Sequence, residues 1–187
     1  VKALVTGASG LIGGNIVRAL LRRRHRVRCL VRRTSSPLTL EGLRVDRVEG
    51  DMLEFEDVRR AAGGCTVVFH AAAHYAYAGK TAEELRRAAV DGTDTVLRAA
   101  REAGVGRVVL TSSSVVFGHD LRPRGRAETS VVPSATGEPP YVAAKLAQDR
   151  RAGELARELG LSLVIACPTV SIGPRSPSLG PSNGLIV

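Results

Sequence analysis

Eight residues near the start of the chain, Thr6-Gly7-Ala8-Ser9-Gly10-Leu11-Ile12-Gly13, constrain the fold more than any other stretch. They follow a short apolar run, Lys2–Thr6, and lead into apolar residues at helical spacing: Leu11, Ile12, Ile16, Val17, Leu20 and Leu21. A strand that turns through glycine into a helix opens a βαβ unit. Gly7 permits the tight turn, Gly10 removes a side chain where backbone approaches a pyrophosphate, and Gly13 lets the helix pack closely. The helix N-terminus adds free N–H groups and the positive end of its dipole. The competing reading is a glycine-rich turn with no ligand, and the strand–turn–helix context weighs against it.

The rest of the chain keeps the alternation. Val27–Val31, Val45–Glu49, Thr66–Ala71, Val105–Thr111 and Leu161–Ala166 read as strands, most of them apolar enough for burial on both faces. Leu11–Arg24, Glu54–Gly63, Ala82–Ala103 and Tyr141–Leu159 read as helices, three of them stopped by Gly63-Gly64, Gly104 and Gly160. Right-handed crossovers then give an α/β fold: a doubly wound, Rossmann-like parallel sheet of order 3-2-1-4-5-6. Gly118–Pro140 and everything after Pro168 read as loops. The 187 residues suit one dinucleotide-binding domain, residues 1–187.

Composition excludes several classes. There is no apolar run of roughly 18 residues, so no membrane span is expected, and Val1–Val5 shows no signal-peptide pattern. Cys29, Cys65 and Cys167 lie far apart in apolar runs, which predicts reduced thiols, no metal site and a cytoplasmic setting. The net charge of +9 is almost all arginine, the only lysines being Lys2, Lys80 and Lys145. With 3% aromatics and no tryptophan, platforms for stacking bases are scarce, and nucleic acid is not an expected partner. The one dense cluster, Arg22-Arg23-Arg24 with Arg26, reads as a solvated helix end.

The second strand ends in Arg32-Arg33-Thr34-Ser35, with no carboxylate to accept from ribose hydroxyls. A guanidinium pairs well with a 2′-phosphate, so Arg32 and Arg33 favour NADP, with NAD as the lesser option. Solvated arginines at a strand end are the alternative. Asp51, after the third strand, fits an adenine amino group or a turn or N-cap position equally well.

Tyr141-Val142-Ala143-Ala144-Lys145 puts a phenol and an ammonium four residues apart, on one helix face. A phenol is a poor base at neutral pH, and a neighbouring ammonium favours its ionised form. Lys145 can do this while also donating to a nicotinamide ribose. Thr111-Ser112-Ser113-Ser114 closes the fifth strand, at the carboxyl edge where open α/β sheets bind ligands. One of these hydroxyls can steady charge on a substrate oxygen, while the others cap backbone groups.

The segments T-G-A-S-G-L-I-G, T-S-S-S-V-V-F-G and Y-V-A-A-K, with Gly50-Asp51-Met52, Val68–Ala73 and Val90-Asp91-Gly92-Thr93, together resemble the extended short-chain dehydrogenase/reductase superfamily. Within it the chain is similar to the NAD(P)-dependent epimerase/dehydratase family, in particular its dihydroflavonol-reductase-like and hopanoid-associated sugar epimerase-like members. The resemblance implies Tyr141 as acid/base, Lys145 as its modulator and ribose anchor, and Ser113, five residues before Gly118, as the carbonyl-orienting hydroxyl. It implies a dinucleotide held by Gly7, Ser9, Gly10, Leu11, Ile12, Gly13, Arg32, Arg33, Asp51, Met52, Ala71, Ala72, Ala73, Tyr141, Lys145 and Pro168. His70 is expected in the core or at the cofactor edge. His74, Tyr75, Tyr77 and His119 fall in loops near the crevice. Cys167 is expected as a buried thiol.

Two departures stand out. Ala89 occupies the place of the asparagine usual before V-x-G-T. The chain also stops where members of the family continue into a substrate-binding part, so it is expected to be incomplete at its C-terminus. The resulting expectation is an NADP-dependent oxidoreductase passing hydride between nicotinamide and a carbonyl or alcohol. The alternatives are a nucleotide-sugar epimerase or dehydratase with a retained cofactor, and a non-catalytic dinucleotide-binding protein. The expected partners are a small-molecule substrate and, as one option, a second copy of the chain.

Overall fold

A computed structural model describes residues 1–73, 80–118, 125, 127–132 and 134–174. His74, Tyr75, Tyr77 and His119 lie outside them, as do parts of both expected loops. Six parallel strands, β1 (Lys2–Thr6), β2 (Arg26–Val31), β3 (Asp46–Glu49), β4 (Val67–His70), β5 (Arg107–Thr111) and β6 (Ser162–Ala166), form one sheet in the order β3-β2-β1-β4-β5-β6. This is the order expected from the sequence. The register aligns one residue per strand in a single row near the carboxyl ends: Val48, Leu30, Thr6, His70, Leu110 and Ile165. The two polar members, Thr6 and His70, are neighbours in the middle of that row.

Alternate residues of each strand feed two cores. Leu4, Leu30, Val68, Val108 and Leu110 pack beneath α2 (Phe55–Ala62), α4 (Gly92–Glu102) and α5 (Pro140–Leu159) through Val58, Val96, Leu97 and Leu155. Ala3, Val5, Val27 and Cys29 face the other way, against Val17 and Leu20 of α1 (Leu11–Arg22). Each fully buried leucine contributes about 1.5–3 kcal/mol relative to an exposed one. Strand β6 departs from the expectation of burial on both faces. Its Leu163 and Ile165 join the first core, but Val164 on the opposite face is 46% exposed, because α1 packs over β1 and β2 instead.

The helices differ from expectation at two points. α1 stops at Arg22 rather than Arg24, because Arg24 takes a left-handed conformation with φ 59°. The long helix expected over Ala82–Ala103 is three pieces: α3 (Ala82–Arg86), a π-helical turn at Arg87–Asp91, and α4. The extra residue of a π turn re-phases the helix. Leu85 and Ala89 can then face Tyr141 and Ala144, while Val96 and Leu97 face the sheet. Thr81 starts this segment with a reciprocal capping box to Glu84. α5 ends at Gly160 in the left-handed conformation, as its sequence suggests. Cys29 and Cys65 are buried free thiols, whereas Cys167 is only half-buried, since it follows the open end of β6. Burial pushes the Cys29 thiol up to about 12. Among the described residues, no helix is long and apolar enough to cross a membrane.

Two helical glycines should respond oppositely to alanine. A Cβ on Gly13 would overlap the Gly7 carbonyl oxygen and lie 2.6 Å from its carbon, both backbone atoms. A Cβ on Gly153 in α5 would meet nothing within 4 Å. Gly13→Ala is expected to lower stability by about 1–3 kcal/mol, and Gly153→Ala to raise it by about 0.5–1 kcal/mol, both read by urea denaturation.

Candidate functional site

The turn after β1 is built from close backbone approaches. Gly7 has φ +70°, and a Cβ there would sit 2.5 Å from the Ala72 nitrogen and 2.7 Å from the Ala71 carbonyl oxygen. Gly13 meets the same Gly7 carbonyl from the other side, so its close contact is with the turn rather than with the sheet. Gly10, by contrast, has only the Gly7 oxygen nearby, at 3.4 Å, and otherwise faces open space. The start of α1 carries no side-chain cap and no acidic residue in its first turn. Its positive end is therefore not neutralised by its own side chains.

That space is a cavity of about 190 Å³. The expected residues Gly7, Ser9, Gly10, Arg32, Asp51, Met52, Ala71, Ala72 and Ala73 all line it. Of the other expected cofactor residues, Leu11, Ile12, Gly13, Arg33 and Pro168 do not line it. Gly13 is consumed by the turn, Arg33 is exposed, and the Pro168 carbonyl accepts from the Ser114 N–H at 2.9 Å. Thr6, Leu30 and Ser35 also line the cavity, although sequence reasoning gave them no binding role. Their signal was available, since each lies at or just after the carboxyl end of an expected strand. Asp51 takes the turn position: its Oδ1 accepts from the Leu53 N–H at 3.0 Å, and the residue still lines the cavity. The segment carrying Arg32 and Ser35 is tied to the glycine turn. The Thr39 hydroxyl donates to the Ser9 carbonyl at 2.9 Å, and Arg18 of α1 donates to the Thr39 carbonyl at 2.6 Å.

Ala73 also lines a second, much smaller space of about 10 Å³, shared with Leu85, Ala89, Tyr141, Ala144 and Lys145. The tyrosine and lysine therefore adjoin the larger cavity. Both are buried, Lys145 to 3% exposure. Burial pulls the Lys145 ammonium down to about 8, against the opposing influence of Asp149 and Cys167. The ammonium donates to the Thr111 carbonyl at 3.1 Å and to Gln148 at 2.8 Å. Of the strand-end serines, Ser112 is engaged, donating to Asp149 at 2.7 Å. Ser113 accepts from the Val115 N–H at a long 3.5 Å, and among the described residues its hydroxyl proton meets no acceptor. Ala89, in the π turn, packs against Tyr141 and lines the small space beside it.

His70 is fully buried between Thr6 and Thr93, and burial with the nearby Lys145 charge drives its imidazole down to about 3. Of the two positions expected for it, core or cofactor edge, it takes the core.

A family model, the NAD dependent epimerase/dehydratase family, matches residues 3–186. The chain belongs to the NAD dependent epimerase/dehydratase family. A Synechocystis sp. relative that carries the provisional name dihydroflavonol 4-reductase is 36% identical over 185 residues, which is 98% of this chain and 53% of that protein. Cinnamoyl-CoA reductase 1 of Petunia hybrida is 34% identical over 91% of this chain and 54% of its own length. The structure of the dTDP-glucose 4,6-dehydratase DesIV of Streptomyces venezuelae, solved with NAD bound, superposes with a TM-score of 0.80 at 29% identity, covering 94% of this chain and 58% of the dehydratase. The chain thus spans about half the length of the curated relatives it matches. Members of this NAD(P)-dependent family include both reductases and dehydratases, consistent with one fold serving several substrates.

Two outcomes follow from this geometry. Gly10→Val should leave the melting temperature nearly unchanged, since no packed atom opposes the new side chain, while filling the space above the turn. Calorimetric titration with NADPH and NADH should then show binding abolished in the variant. Second, a folded imidazole held at about 3 is uncharged at every pH where the unfolded one, ordinarily near 6.5, takes up a proton. The unfolded state therefore binds the extra proton as pH falls, and stability drops below pH ~6.5 by about 2 kcal/mol at pH 5. Urea midpoints measured from pH 7 to pH 5 should show this slope, and His70→Gln should lose it.

Proposed function

We propose that the chain is the dinucleotide-binding part of an NADP-dependent oxidoreductase that interconverts a carbonyl and an alcohol. The observation that carries the reading is Arg32 lining the cavity beside Ser35, across from Ser9 and Gly10, with no carboxylate at the end of β2. A 2′-phosphate placed there meets a guanidinium and a hydroxyl, whereas a bare ribose finds no acidic acceptor at the end of β2, the cavity's carboxylate, Asp51, following β3 instead. The residues present fit the dinucleotide. Gly10 leaves the pyrophosphate room, and the uncapped start of α1 offers N–H donors to its charge.

When bound, the nicotinamide supplies or accepts the hydride. The chain's own residues handle the proton and the charge. Tyr141 gives a proton to the forming alkoxide, or takes one from an alcohol. The Lys145 ammonium, one helical turn away, favours the ionised phenol and donates to the ribose. Ser113 presents its unengaged hydroxyl proton to the substrate oxygen. Burial of Tyr141 and Lys145 excludes water and strengthens each of these interactions. The domain assignment of residues 1–187 belongs to the same proposal, as does a small-molecule substrate whose further contacts come from outside these residues.

A second reading is favoured by the likeness to DesIV, a dehydratase holding NAD. On it, the same residues serve a cofactor that is reoxidised within one turnover. Purification without added nucleotide separates the two: a retained dinucleotide supports the second reading, an empty protein that oxidises NADPH with carbonyl substrates the first.

The unaltered protein should bind NADPH more tightly than NADH. Arg32→Asp should reverse that order by about tenfold or more, since a charge-assisted pair is worth ~1.5–3 kcal/mol. Equal affinities in the unaltered protein would rule out the assignment of Arg32. In the protein complete with its substrate-binding part, Tyr141→Phe should keep cofactor affinity and lose turnover by ~10²–10⁴-fold, while Lys145→Ala should weaken both.

A further inference from the structure

Five buried side chains form an unbroken line of hydrogen bonds through the interior. The Lys145 ammonium lies 2.8 Å from Gln148 Oε1, and Gln148 Nε2 lies 2.7 Å from Thr93 Oγ1. Thr93 Oγ1 is 3.3 Å from His70 Nε2, and His70 Nδ1 is 2.7 Å from Thr6 Oγ1. None of the five is more than 3% exposed. The line starts on α5, crosses α4, passes through the end of β4 and finishes on β1, at a residue that lines the dinucleotide cavity.

Its direction follows from donor and acceptor chemistry together with the uncharged state of the buried imidazole. An ammonium has only donors, so the amide oxygen of Gln148 must face Lys145 and the amide nitrogen must face Thr93. Thr93 accepts that bond, and its single proton is available to His70 Nε2. The imidazole is uncharged, so one ring nitrogen accepts; with the Thr93 proton directed at Nε2, that nitrogen is Nε2 and Nδ1 carries the ring proton. Nδ1–H then donates to Thr6, whose own proton remains to be donated onward.

We propose that Gln148 is a positioning residue for Lys145, and that its amide imposes one polarity of hydrogen bonding from the ammonium through Thr93 and His70 to the Thr6 hydroxyl at the cavity wall. The proposal rests on the reading of Lys145 as a participant in the chemistry. Of the three ammonium donors, one is held by Gln148 and one by the Thr111 carbonyl, leaving one for the crevice. Without the amide oxygen, the ammonium keeps a single interior acceptor and is free to swing. Asp149 one turn further along α5 and Cys167 after β6 also act on Lys145, whose charge in turn acts on His70 of β4, and Tyr141 lines the same small space. None of them replaces the Gln148 oxygen as a hydrogen-bond partner.

The isosteric variant Gln148→Glu makes a test that a merely space-filling role would not pass. A carboxylate has no donor, so the Thr93 proton must turn towards it. Thr93 can then only accept from His70, and the imidazole must switch to the Nε2–H tautomer, accepting at Nδ1 from Thr6. Nitrogen-15 NMR of the ring nitrogens reads this directly on the ligand-free chain. The expected result is the Nδ1–H tautomer in the unaltered protein between about pH 5 and pH 8, and the Nε2–H tautomer in Gln148→Glu. In parallel, carbon-13 NMR of the three lysines should show the Lys145 midpoint falling by about one unit in Gln148→Leu and rising in Gln148→Glu. An Nε2–H tautomer in the unaltered protein, or an unchanged tautomer and Lys145 midpoint in a folded Gln148→Glu, would overturn the proposal. If Gln148→Leu does not fold, Gln148→Glu decides alone. A failure of the unaltered chain to bind NADPH would overturn the function proposed above while leaving this signature to be judged on its own.

Discussion

The architecture depends on one place where no side chain fits. Gly7 is held between Gly13 on α1, whose Cβ would strike the Gly7 carbonyl, and the Ala71–Ala72 backbone after β4, which a Cβ on Gly7 itself would strike. That contact lets α1 start directly over the carboxyl end of β1 and lets the chain after β4 run beside it. The cavity exists because the same turn that is closed at Gly7 and Gly13 is open at Gly10. One short stretch therefore supplies both a close backbone packing and an opening at the carboxyl edge of the sheet. The parallel sheet brings the remaining walls to it, since Thr6, Leu30 and His70 share one row of the register.

Much of this was legible in the sequence because it follows local spacing. Apolar runs separated by glycine stops fix the strands and helices, and the right-handed crossover fixes the order. Gly7, Gly10, Arg32 and Asp51 could be named because each sits just after a strand, and Ser9, Met52 and Ala71–Ala73 because the family resemblance implied them. Tyr141 and Lys145 could be paired because four residues make about one helical turn. What the sequence hid falls into two kinds. The π turn at Arg87–Asp91 leaves the apolar pattern compatible with one straight helix, and only the two directions in which Leu85 and Leu97 must be buried reveal the change of phase. The line from Lys145 to Thr6 joins residues 55, 23 and 64 positions apart beyond its first step, and no periodicity marks such pairs.

The arginine excess has a plain structural answer where the chain is described. Arg59, Arg60, Arg86 and Arg98 pair with Glu56, Asp57, Glu83 and Asp94 on exposed helix faces, and Arg151 reaches the same Asp94 from α5. Exposed pairs of this sort contribute roughly 0–1 kcal/mol each. They account for many basic residues without a polyanionic partner. Arg32 differs in lining the cavity, with its backbone N–H held by the Ser35 hydroxyl and its side chain paired with no carboxylate among the described residues.

The Ser9–Thr39–Arg18 tie has a kinetic meaning. A loop that must be ordered around a ligand lowers affinity by the entropy lost on closing, whereas a loop already fastened contributes its contacts at no such cost. Here the segment that bears Arg32 and Ser35 is bolted to the phosphate turn before any ligand arrives. Both ends of an adenosine diphosphate would then meet a single rigid surface. On the proposed reading, discrimination between a ribose and its 2′-phosphate then falls on how long the ligand stays rather than how fast it lands, because the segment bearing Arg32 is ordered beforehand.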